Sequence, residues 1–411
     1  MTPSPSDVPP TLAEHSSDLP PFPFRRGCPY APPQEYEGLI TARPVAKVDL
    51  AVGGQAWLVT GYDEVRTVLN DSRFSIDRRH PGFPYIIPTP PQFKTNASLL
   101  GMDAPEHGRY RKLVAAEFTA RRIRDMRATV QTCVDACIDA MVAQGDSADL
   151  VPALSLPVPT AVITELLGIP ADEHEFFHSC TRKMLNGSAT AKERGEGLLG
   201  LEAFLDRQIT AKEKDPGEDL LSRVVVRFRE AGLTDRAELV SMARLLLVAG
   251  HETSANMISL GTLTLLQHPE QLELLTSDPS LVPGAVEELL RVLSLADLSA
   301  NRVAAEDVEI GGVLIRAGEG VIASGIGANF DPTAFENPTA FDIRRPGRRH
   351  VAFGYGPHLC VGADLTRLEL EVVFGTLFTR LPGLRALKPV DELPYKDRTI
   401  IYGVHEMPVA W

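Results

Sequence analysis

The feature that most constrains this chain of 411 residues is a glycine-rich stretch over 353–362, Phe-Gly-Tyr-Gly-Pro-His-Leu-Cys-Val-Gly. Cys360 stands near its end, and the residues after it predict a helix over 363–374. The N-terminus of such a helix favours the thiolate form of Cys360. A single soft thiolate in this setting suits the iron of a haem. Three glycines in the stretch can adopt positive φ or let the backbone approach a flat ligand, namely Gly354, Gly356 and Gly362.

The residues around Cys360 separate this interpretation from a simpler one, because an isolated cysteine is more often a small buried apolar residue than a ligand. The order F-G-x-G-x-H-x-C-x-G resembles the haem-binding signature of the cytochrome P450 family, and all six fixed letters are present. The resemblance implies a mainly α fold with a smaller β region. It also implies a haem b group with Cys360 as the axial ligand of its iron, contacted by Phe353 and Gly354 and held at its propionates in part by His358.

Composition and charge are those of a globular protein, with 44% apolar and 23% charged residues. We expect one haem domain over 1–411, with an extended proline-rich arm at 1–33, where ten prolines fall. No run approaches the ~18 to 20 apolar residues of a membrane span, and the first residues lack a signal-peptide pattern. The sequence therefore predicts a cytoplasmic protein without a membrane anchor. Its net charge of −13 argues against nucleic acid as a partner.

The sequence argues against a disulfide framework and against a zinc site. Five scattered cysteines, an odd number, argue against a disulfide framework. Cys133 and Cys137 would share a helix face, but no second pair completes a zinc site. His251 and Glu252 begin the H-E-x-x-H pattern of zinc hydrolases, but Ala255 stands where the second histidine is required.

A long helix is predicted from Asp235, which can form a capping box with Glu238, to just before Pro269. Its length of roughly 50 Å would cross the molecule. The apolar middle of this helix is interrupted by Glu252 and Thr253, which are costly in a buried helix unless they serve a function. The alternative is a kinked helix in which the Thr253 hydroxyl bonds to a carbonyl of the preceding turn.

The segment Ala249-Gly250-His251-Glu252-Thr253 matches the A-G-x-E/D-T motif of the cytochrome P450 family. The resemblance implies that Ala249 and Gly250 lie against the haem, where a widened helical turn admits water. It further implies that Thr253 donates a hydrogen bond to dioxygen and that Glu252 belongs to a proton relay. Thr253 and Glu252 are therefore the predicted catalytic residues.

Two basic side chains on one predicted helix are candidates for binding carboxylates. Pro105 can open a helix in which His107 and Arg111 share a face. Such a pair is usually solvated surface, but it resembles the H-x-x-x-R helix of the family, which holds the two propionates of haem. By the same resemblance Arg302, at the start of a predicted strand, meets a propionate.

Glu288 and Arg291 lie about one helical turn apart, and the residues alone predict an ordinary ion pair. In the family this E-x-x-R pair joins a further arginine, here Arg345, in a buried network that holds the cysteine loop. The chain departs from the family at Phe330, where arginine is usual, and this puts local ion pairing in doubt.

Two glycine pairs predict two-residue hairpin turns. Gly53-Gly54 separates predicted strands over 48–52 and 56–60. Gly311-Gly312 lies within a second predicted hairpin over 308–314.

Three segments are candidates for contact with a substrate. Residues 81–93 contain five prolines and several large apolar residues, so they form an irregular loop that either packs on the core or covers a pocket. The resemblance favours the pocket and suggests contacts from Ile86 and Ile87. The helices of 171–213 resemble the mobile lid of the family. Two C-terminal residues resemble those of its last hairpin, Thr399 and Ile400.

The four motifs stand in the order of the family and extend over nearly the whole chain, which is similar to actinobacterial members that hydroxylate macrolides, polyketides, steroids and xenobiotics. The resemblance implies a monooxygenase that hydroxylates or epoxidises a lipophilic substrate with dioxygen. A haem-thiolate catalyst of oxidative coupling or of peroxide-driven oxidation has the same motifs and remains an alternative. A haem-based binding or sensor protein would not need Glu252 and Thr253.

The electrons are expected from outside the chain, because no Rossmann fingerprint appears and no flavin or iron–sulfur domain follows the predicted haem domain. The resemblance implies a ferredoxin with its reductase as partner, and a monomer is expected. A basic patch would suit an acidic partner, although ordinary surface arginine is the alternative. The candidate residues are Arg121, Arg122, Arg124, Arg127, Arg344, Arg348 and Arg349, with Arg345 assigned to the interior.

Overall fold

The computed structural model describes residues 19–87, 89, 94, 98–185, 190–297, 300–347, 349–396 and 401–411. The helices of this described part are α1 Glu35–Ala42, α2 Tyr62–Asn70, α3 Glu106–Ala115, α4 Ala120–Asp125, α5 Arg127–Gln144, α6 Pro157–Leu167, α7 His174–Leu185, α8 Ala191–Lys214, α9 Leu220–Glu230, α10 Arg236–Gln267, α11 Pro269–Ser277, α12 Val282–Leu293, α13 Gly325–Asn329 and α14 Ala363–Arg380. The strands are β1 Pro21–Phe22, β2 Val45–Leu50, β3 Gln55–Val59, β4 Phe74–Ser75, β5 Ser147–Asp149, β6 Asn301–Ala304, β7 Val308–Ile310, β8 Val313–Ile315, β9 Gly320–Ala323, β10 Arg385–Ala386 and β11 Pro408–Ala410. The predicted mainly α fold with a smaller β region is confirmed.

Helix α10 is the longest element, and α6, α8, α12 and α14 pack around it. Its 32 residues extend roughly 48 Å. Asp235 Oδ1 accepts the N–H of Ala237 at 2.8 Å and that of Glu238 at 3.3 Å. The Glu238 carboxylate accepts the hydroxyl of Tyr110 on α3. The long helix and the Asp235 half of its capping box are therefore confirmed.

Apolar side chains surround α10 over most of its length. The largest core lies between α5, α6, α10, α12 and α14, and its fully buried members include Val134, Val162, Leu260, Leu289 and Leu370. A second core joins α7, α8 and α9 to the N-terminal half of α10. Each such side chain contributes about 1.5–3 kcal/mol when fully buried. Within the described ranges, no helix is both long and apolar enough to cross a membrane.

Within the described residues, the main sheet has six strands in the order β1-β2-β3-β9-β6-β4, and both predicted hairpins are present. In the first hairpin Asp49 pairs with Gln55, so the turn is longer than the glycine pair that was predicted to form it. In the second hairpin Ile310 pairs with Val313, and Gly311-Gly312 forms the whole turn. Their φ angles of +55° and +75° suit a type I′ turn, which requires positive φ at both positions.

The described part of the proline-rich arm, from residue 19 onward, packs on the body of the protein. Strand β1 pairs in parallel with β2, and Phe22 is buried. The Arg26 guanidinium donates to the carbonyls of Leu293 at 2.6 Å and Ser294 at 2.9 Å. The arm is therefore tied to the C-terminal end of α12.

Candidate functional site

The cysteine loop, residues 353–362 between α13 and α14, is closed by its own backbone. The Cys360 N–H donates to the Phe353 carbonyl at 2.9 Å, and the Gly354 N–H donates to the Val351 carbonyl at 2.8 Å. Cys360 is exposed, whereas the inward residues of α14 that follow it are buried. The loop therefore presents an accessible thiol from a fixed backbone.

The backbone conformation of this loop requires glycine at two of its three glycine positions. Gly354 has a φ of +76° and Gly356 a φ of +70°, both in the left-handed region that favours glycine. A Cβ at Gly356 would also lie 2.9 Å from the Leu69 carbonyl oxygen, so α2 approaches the loop closely. Gly362 does not need glycine for its backbone angle, because its φ of −88° is accessible to any residue and it precedes α14 as the N-cap. The other predicted use of Gly362, close approach of the backbone to a flat ligand, stays a prediction.

The pKa of the Cys360 thiol depends on the burial of its sulfur and on the polar and charged groups around it. Desolvation raises the pKa of the Cys360 thiol, although the residue as a whole is exposed. A hydrogen bond from the Gly362 N–H and the charges of Arg111 and Arg367 oppose this effect without reversing it, so the pKa of the Cys360 thiol stays above its ordinary value. The expectation that the helix N-terminus favours the thiolate is therefore wrong for the protein without a metal, because burial of the sulfur outweighs it. Coordination by a metal ion would remove this proton outright.

Glu287 on α12 connects the two sides of the cysteine loop. Its carboxylate accepts the Arg367 Nε–H at 2.6 Å and lies 3.0 Å from His350 Nε2. The Arg367 guanidinium also lies over the Phe353 ring, 4.8 Å from its centroid. Burial raises the pKa of Glu287, but the hydrogen bonds of His350 and Arg367 outweigh it and bring the pKa to about 2. The E-x-x-R motif did not predict that Glu287 binds His350 and Arg367. The nearby sequence shows only that a second glutamate, Glu287, precedes Glu288.

Glu288, Arg291 and Arg345 meet in a buried network, as the sequence predicted. Arg291 Nε and Nη2 donate to the two Glu288 oxygens at 2.8 Å each, and Arg345 Nε lies 3.1 Å from Glu288 Oε2. Phe330 and Phe335 flank the Arg291 guanidinium, with ring centroids at 5.2 Å and 5.4 Å. Where the family usually has an arginine, this chain therefore places an aromatic ring in cation–π contact with Arg291.

Four basic side chains that the sequence selected lie together next to the cysteine loop: His107, Arg111, Arg302 and His358. The rings of His107 and His358 are 3.9 Å apart between centroids, at 35°. Arg111 donates to the Leu359 carbonyl, the residue before Cys360. Arg302 donates to the Asn301 carbonyl at 2.9 Å. Helix α3, strand β6 and the cysteine loop each contribute to this basic cluster.

The side chains of the basic cluster repel one another when they are protonated, and this repulsion adds to the effect of burial in lowering the pKa values of its two histidines. Burial lowers the pKa of His358 to about 3, with further effects from His107, Arg302 and Arg111. Burial followed by the charge of Arg111 lowers the pKa of His107. Arg302 is only 4% exposed, and burial lowers its pKa to about 10. An anionic group with several oxygens would relieve this repulsion.

One atom of the basic cluster shows where such an anion would bind. His107 Nε2 is buried and has no hydrogen-bond partner within the described ranges. A buried polar atom without a partner costs about 1–3 kcal/mol. The two propionates of a haem would supply acceptors for His107, Arg111 and Arg302 at once, so the basic cluster fits this cofactor.

On α10, the structure shows a regular helix where the resemblance implied a widened turn. The Thr253 hydroxyl donates to the Ala249 carbonyl at 2.7 Å, which is the back-bonding that the alternative interpretation described. A Cβ at Gly250 would lie 3.0 Å from Ile163 Cδ1, so Gly250 allows α6 to pack closely on α10. Ala249 is exposed, although Leu246 and Leu247 before it are buried. Ala249 is therefore open to solvent, and the open space beside it is called the cleft.

Two ionisable residues from other segments contact this part of α10. Glu252 forms an ion pair with Lys396, which is 144 residues away in the sequence. Glu369 on α14 is fully buried, and burial raises its pKa to about 8, against a hydrogen bond from Ser254 that lowers it. No local pattern indicated Lys396 or Glu369, because each acts through a contact between distant segments.

The predicted substrate contacts fall in segments that are described only in part. Ile86 is buried in the largest core and Ile87 packs against it, as expected of a loop packed on the core. Helices α7 and α8 form most of the segment predicted to be a lid. Thr399 and Ile400 lie outside the described residues, as do 88 and 90–93 of the proline-rich loop.

Comparison with known proteins identifies the family. The sequence profile of the cytochrome P450 family matches residues 205–382. Pentalenic acid synthase of Streptomyces avermitilis is 47% identical over 391 residues, which cover 95% of this chain and 97% of that protein. Vitamin D3 dihydroxylase of Streptomyces griseolus is 45% identical over 401 residues, covering 96% and 98%. The crystal structure of cytochrome P450 MoxA from Nonomuraea recticatena (CYP105) superposes with a TM-score of 0.87 at 49% identity, covering 95% and 98%.

A helical fold with an accessible cysteine beside a basic cluster, together with relatives of this identity and coverage, defines the class of protein. The chain belongs to the cytochrome P450 family. It is accordingly an oxidoreductase, a monooxygenase that depends on haem iron and dioxygen.

Replacing Arg302 by alanine is expected to speed the loss of haem. A charge-assisted hydrogen bond contributes about 1.5–3 kcal/mol, which corresponds to roughly ten- to hundredfold in the dissociation rate. Transfer of haem to excess apomyoglobin measures this rate. Arg316→Ala is the matched control, because Arg316 pairs with Asp307 on the surface. Equal rates for the two variants would contradict a contact between Arg302 and a propionate.

Proposed function

We propose that this protein is a bacterial haem-thiolate monooxygenase that hydroxylates or epoxidises a lipophilic small molecule, such as a macrolide, polyketide, steroid-like compound or xenobiotic. We further propose that residues 1–411 form one haem b domain, active as a monomer with electrons from a ferredoxin. The observation that carries the proposal is an accessible Cys360 in a closed loop beside four basic side chains, of which His107 and Arg302 are buried and Arg111 and His358 are half-buried.

In this proposal Cys360 would ligate the haem iron through its thiolate, and the basic cluster would hold the propionates. The backbone at Phe353 and Gly354 and the cleft-facing turn at Ala249 and Gly250 contact the cofactor. When bound, the haem supplies activation of dioxygen, so that one oxygen atom enters a C–H bond of the substrate and the other leaves as water. The protein fixes the thiolate, orients the cofactor and delivers protons.

Proton delivery is assigned to Thr253 and Glu252 on α10. Each turnover consumes two electrons and two protons, because the second oxygen atom must leave as water. The Thr253 hydroxyl now donates to the Ala249 carbonyl, and rotation about its χ1 angle would redirect it into the cleft. Glu252 lies one residue earlier on the helix and would pass protons from water toward this hydroxyl.

Replacing Thr253 by alanine is expected to lower product per NAD(P)H about tenfold while NAD(P)H consumption continues, with hydrogen peroxide making up the difference. Parallel assays of NAD(P)H, peroxide and product measure this. Thr262→Ala on the same helix is the control, because Thr262 makes a similar bond to the Ile258 carbonyl at 2.8 Å. Thr253→Ser, which keeps a hydroxyl group, should restore the yield of product per NAD(P)H. If Thr253→Ala gave the same product per NAD(P)H as Thr262→Ala, the Thr253 hydroxyl would have no part in proton delivery.

The source of electrons is proposed from the surface charge near the site. Of the arginines predicted to form a basic patch, Arg121, Arg124 and Arg349 are exposed and have no ion pair within the described ranges. Two others are paired with acidic neighbours, Arg127 with Glu371 and Arg344 with Asp342. Arg122 shares the single carboxylate of Glu117 with Arg223 and Arg227 and is therefore only partly neutralised. Arg345 is interior and Arg348 lies outside the described residues. The patch is therefore smaller than the sequence suggested.

Turnover with ferredoxin is expected to slow as ionic strength rises from low to physiological values, because exposed charges attract an acidic partner only within about one Debye length of ~8–10 Å. The measurement is the rate of turnover against salt at subsaturating ferredoxin. Arg124→Gln should weaken this dependence, and Arg229→Gln elsewhere on the surface should not. A rate insensitive to salt would exclude electrostatic docking at these arginines.

The class of reaction is tested with labelled dioxygen. One relative is named for vitamin D3 and another for pentalenic acid, which supports a lipophilic substrate here. A screen of lipophilic compounds for shifts of the ferric Soret band would identify ligands. Turnover of a hit under ¹⁸O₂ with ferredoxin and its reductase should place one labelled atom in the product. An unlabelled product would favour oxidative coupling or peroxide-driven oxidation instead.

A further inference from the structure

Glu252, the carboxylate assigned to the proton relay, has a cationic partner from a distant segment. Lys396 Nζ forms an ion pair with Glu252 Oε1 and also donates to Asn256 Oδ1 at 3.0 Å. Asn256 Nδ2 donates to Glu252 Oε1 at 3.4 Å, from one turn further along α10. The side chains of Lys396 and Glu252 are only 14% and 17% exposed. The three side chains therefore form a closed, largely buried set of contacts.

The backbone that carries Lys396 is fixed on the same helix. The Lys396 N–H donates to the Gly403 carbonyl at 2.9 Å, and the residue before Lys396 pairs with Val404 in an antiparallel bridge. Gly403 packs directly on Asn256, because a Cβ at Gly403 would lie 2.1 Å from Asn256 Oδ1. The ammonium group therefore reaches Glu252 from a rigid support, unlike an exposed lysine.

The groups around Glu252 together favour its ionised form. Burial raises the pKa of the Glu252 carboxyl, but the charge and hydrogen bond of Lys396 oppose this effect. Smaller contributions come from the charge of His251 and a hydrogen bond from Asn256, and the pKa ends below its ordinary value. A relay carboxylate accepts and releases a proton in every turnover, so the group that holds its charge and orientation controls delivery.

We propose that Lys396 is a positioning residue of the proton relay, which holds the Glu252 carboxylate in one orientation on α10. In each delivery Glu252 accepts a proton from water, passes a proton toward Thr253 and returns to the carboxylate that Lys396 binds. The charge of Glu252 is therefore unchanged over a cycle. This inference rests on the proposed relay role of Glu252. The competing explanation is that Lys396 only fastens the C-terminal segment to α10.

Replacing Lys396 by methionine separates the two explanations. Product per NAD(P)H is expected to fall about tenfold, and the yield should vary with pH over roughly pH 6 to 9, because a buried carboxyl without a cation has a raised pKa. Lys396→Arg should restore both the yield and its independence of pH. Lys388→Met is the matched control, because Lys388 pairs with Glu406 at 2.6 Å on the surface of the same C-terminal region.

A second measurement does not depend on turnover. In protein labelled with ¹³C at glutamate carboxyl carbons, and in the diamagnetic reduced carbon monoxide form, the Glu252 signal is the one that Glu252→Gln removes. Its titration midpoint is expected to rise by more than about one pH unit in Lys396→Met. In Lys388→Met the midpoint should equal that of the unmodified protein.

The outcomes distinguish failure of the inference from failure of the proposed function. If Glu252→Gln leaves product per NAD(P)H unchanged, the relay role of Glu252 is wrong, whatever Lys396 does. If Glu252→Gln lowers the yield but Lys396→Met shows neither pH dependence nor a shifted titration, Lys396 is only a structural contact and the inference is overturned. Should Lys396→Met fail to bind haem, Lys396→Gln, which keeps a hydrogen-bond donor without the charge, is measured in its place.

Discussion

Replacing Cys360 by serine is expected to abolish monooxygenase turnover and the red-shifted Soret band of the reduced, carbon monoxide-bound protein. Both depend on a thiolate that pushes electron density onto the iron, which a neutral hydroxyl cannot do. Of the five free cysteines, Cys360 is exposed and the other four are half-buried or buried. The spectrum of the reduced carbon monoxide complex, normalised to haem content, measures the effect.

The control for Cys360→Ser is Cys133→Ser, which removes a half-buried thiol from α5. Burial raises the pKa of the Cys133 thiol as it does that of Cys360, but Cys133 lies within a helix and not in an exposed glycine-rich loop. Cys133→Ser should therefore retain the red-shifted band and turnover. A Cys360→Ser protein that binds haem and keeps the band would show that another residue ligates the iron, and the assignment of the cysteine loop would be lost.

The elements that the sequence predicted correctly depend on local chemistry. The α10 helix follows from Asp235 as its cap and from the absence of proline before Pro269. The β7–β8 turn follows from a glycine pair, since few other residues adopt positive φ at two successive positions. The turn between β2 and β3 was predicted too short, because strand pairing ends at Asp49 and only tertiary context determines that point.

The parts of the site that the sequence did not indicate depend on contacts between distant segments. Glu287 resembles any helical glutamate until α14 brings Arg367 to it, 80 residues later. Lys396 resembles a surface lysine until its strand-like segment packs on α10. Gly250 was assigned to the haem from its motif, whereas its close contact with Ile163 shows a packing reason for glycine as well. Motifs identify residues with a shared chemical role, and only the fold supplies their partners.

The strongest test of the fold concerns the buried network under the cysteine loop. Arg291 uses all five of its N–H donors: two on Glu288, and three on the carbonyls of Asn329, Pro338 and Ala340. The Asn329 side chain then accepts the Val351 N–H at 2.8 Å. The Val351 carbonyl accepts the Gly354 N–H. A continuous set of hydrogen bonds therefore links Glu288 to the start of the cysteine loop.

Replacing Glu288 by alanine is expected to destabilise the protein by about 3–5 kcal/mol, because it leaves the buried charges of Arg291 and Arg345 without their carboxylate. Thermal unfolding of the haem-loaded protein measures this as a Tm lower by several degrees. Because the network supports the loop, the red-shifted Soret band should decay at a lower temperature than the helical signal in far-ultraviolet circular dichroism.

The control is Glu406→Ala, which removes an exposed partner of Lys388 and should cost at most about 1 kcal/mol. Arg291→Lys distinguishes charge from geometry, since an ammonium group keeps the charge but offers three donors where five are used. We expect it to destabilise the protein nearly as much as Glu288→Ala. If Glu288→Ala unfolded at the same temperature as Glu406→Ala, the buried network would not be what holds the cysteine loop, and the Glu287 contacts with His350 and Arg367 would be left to explain its rigidity.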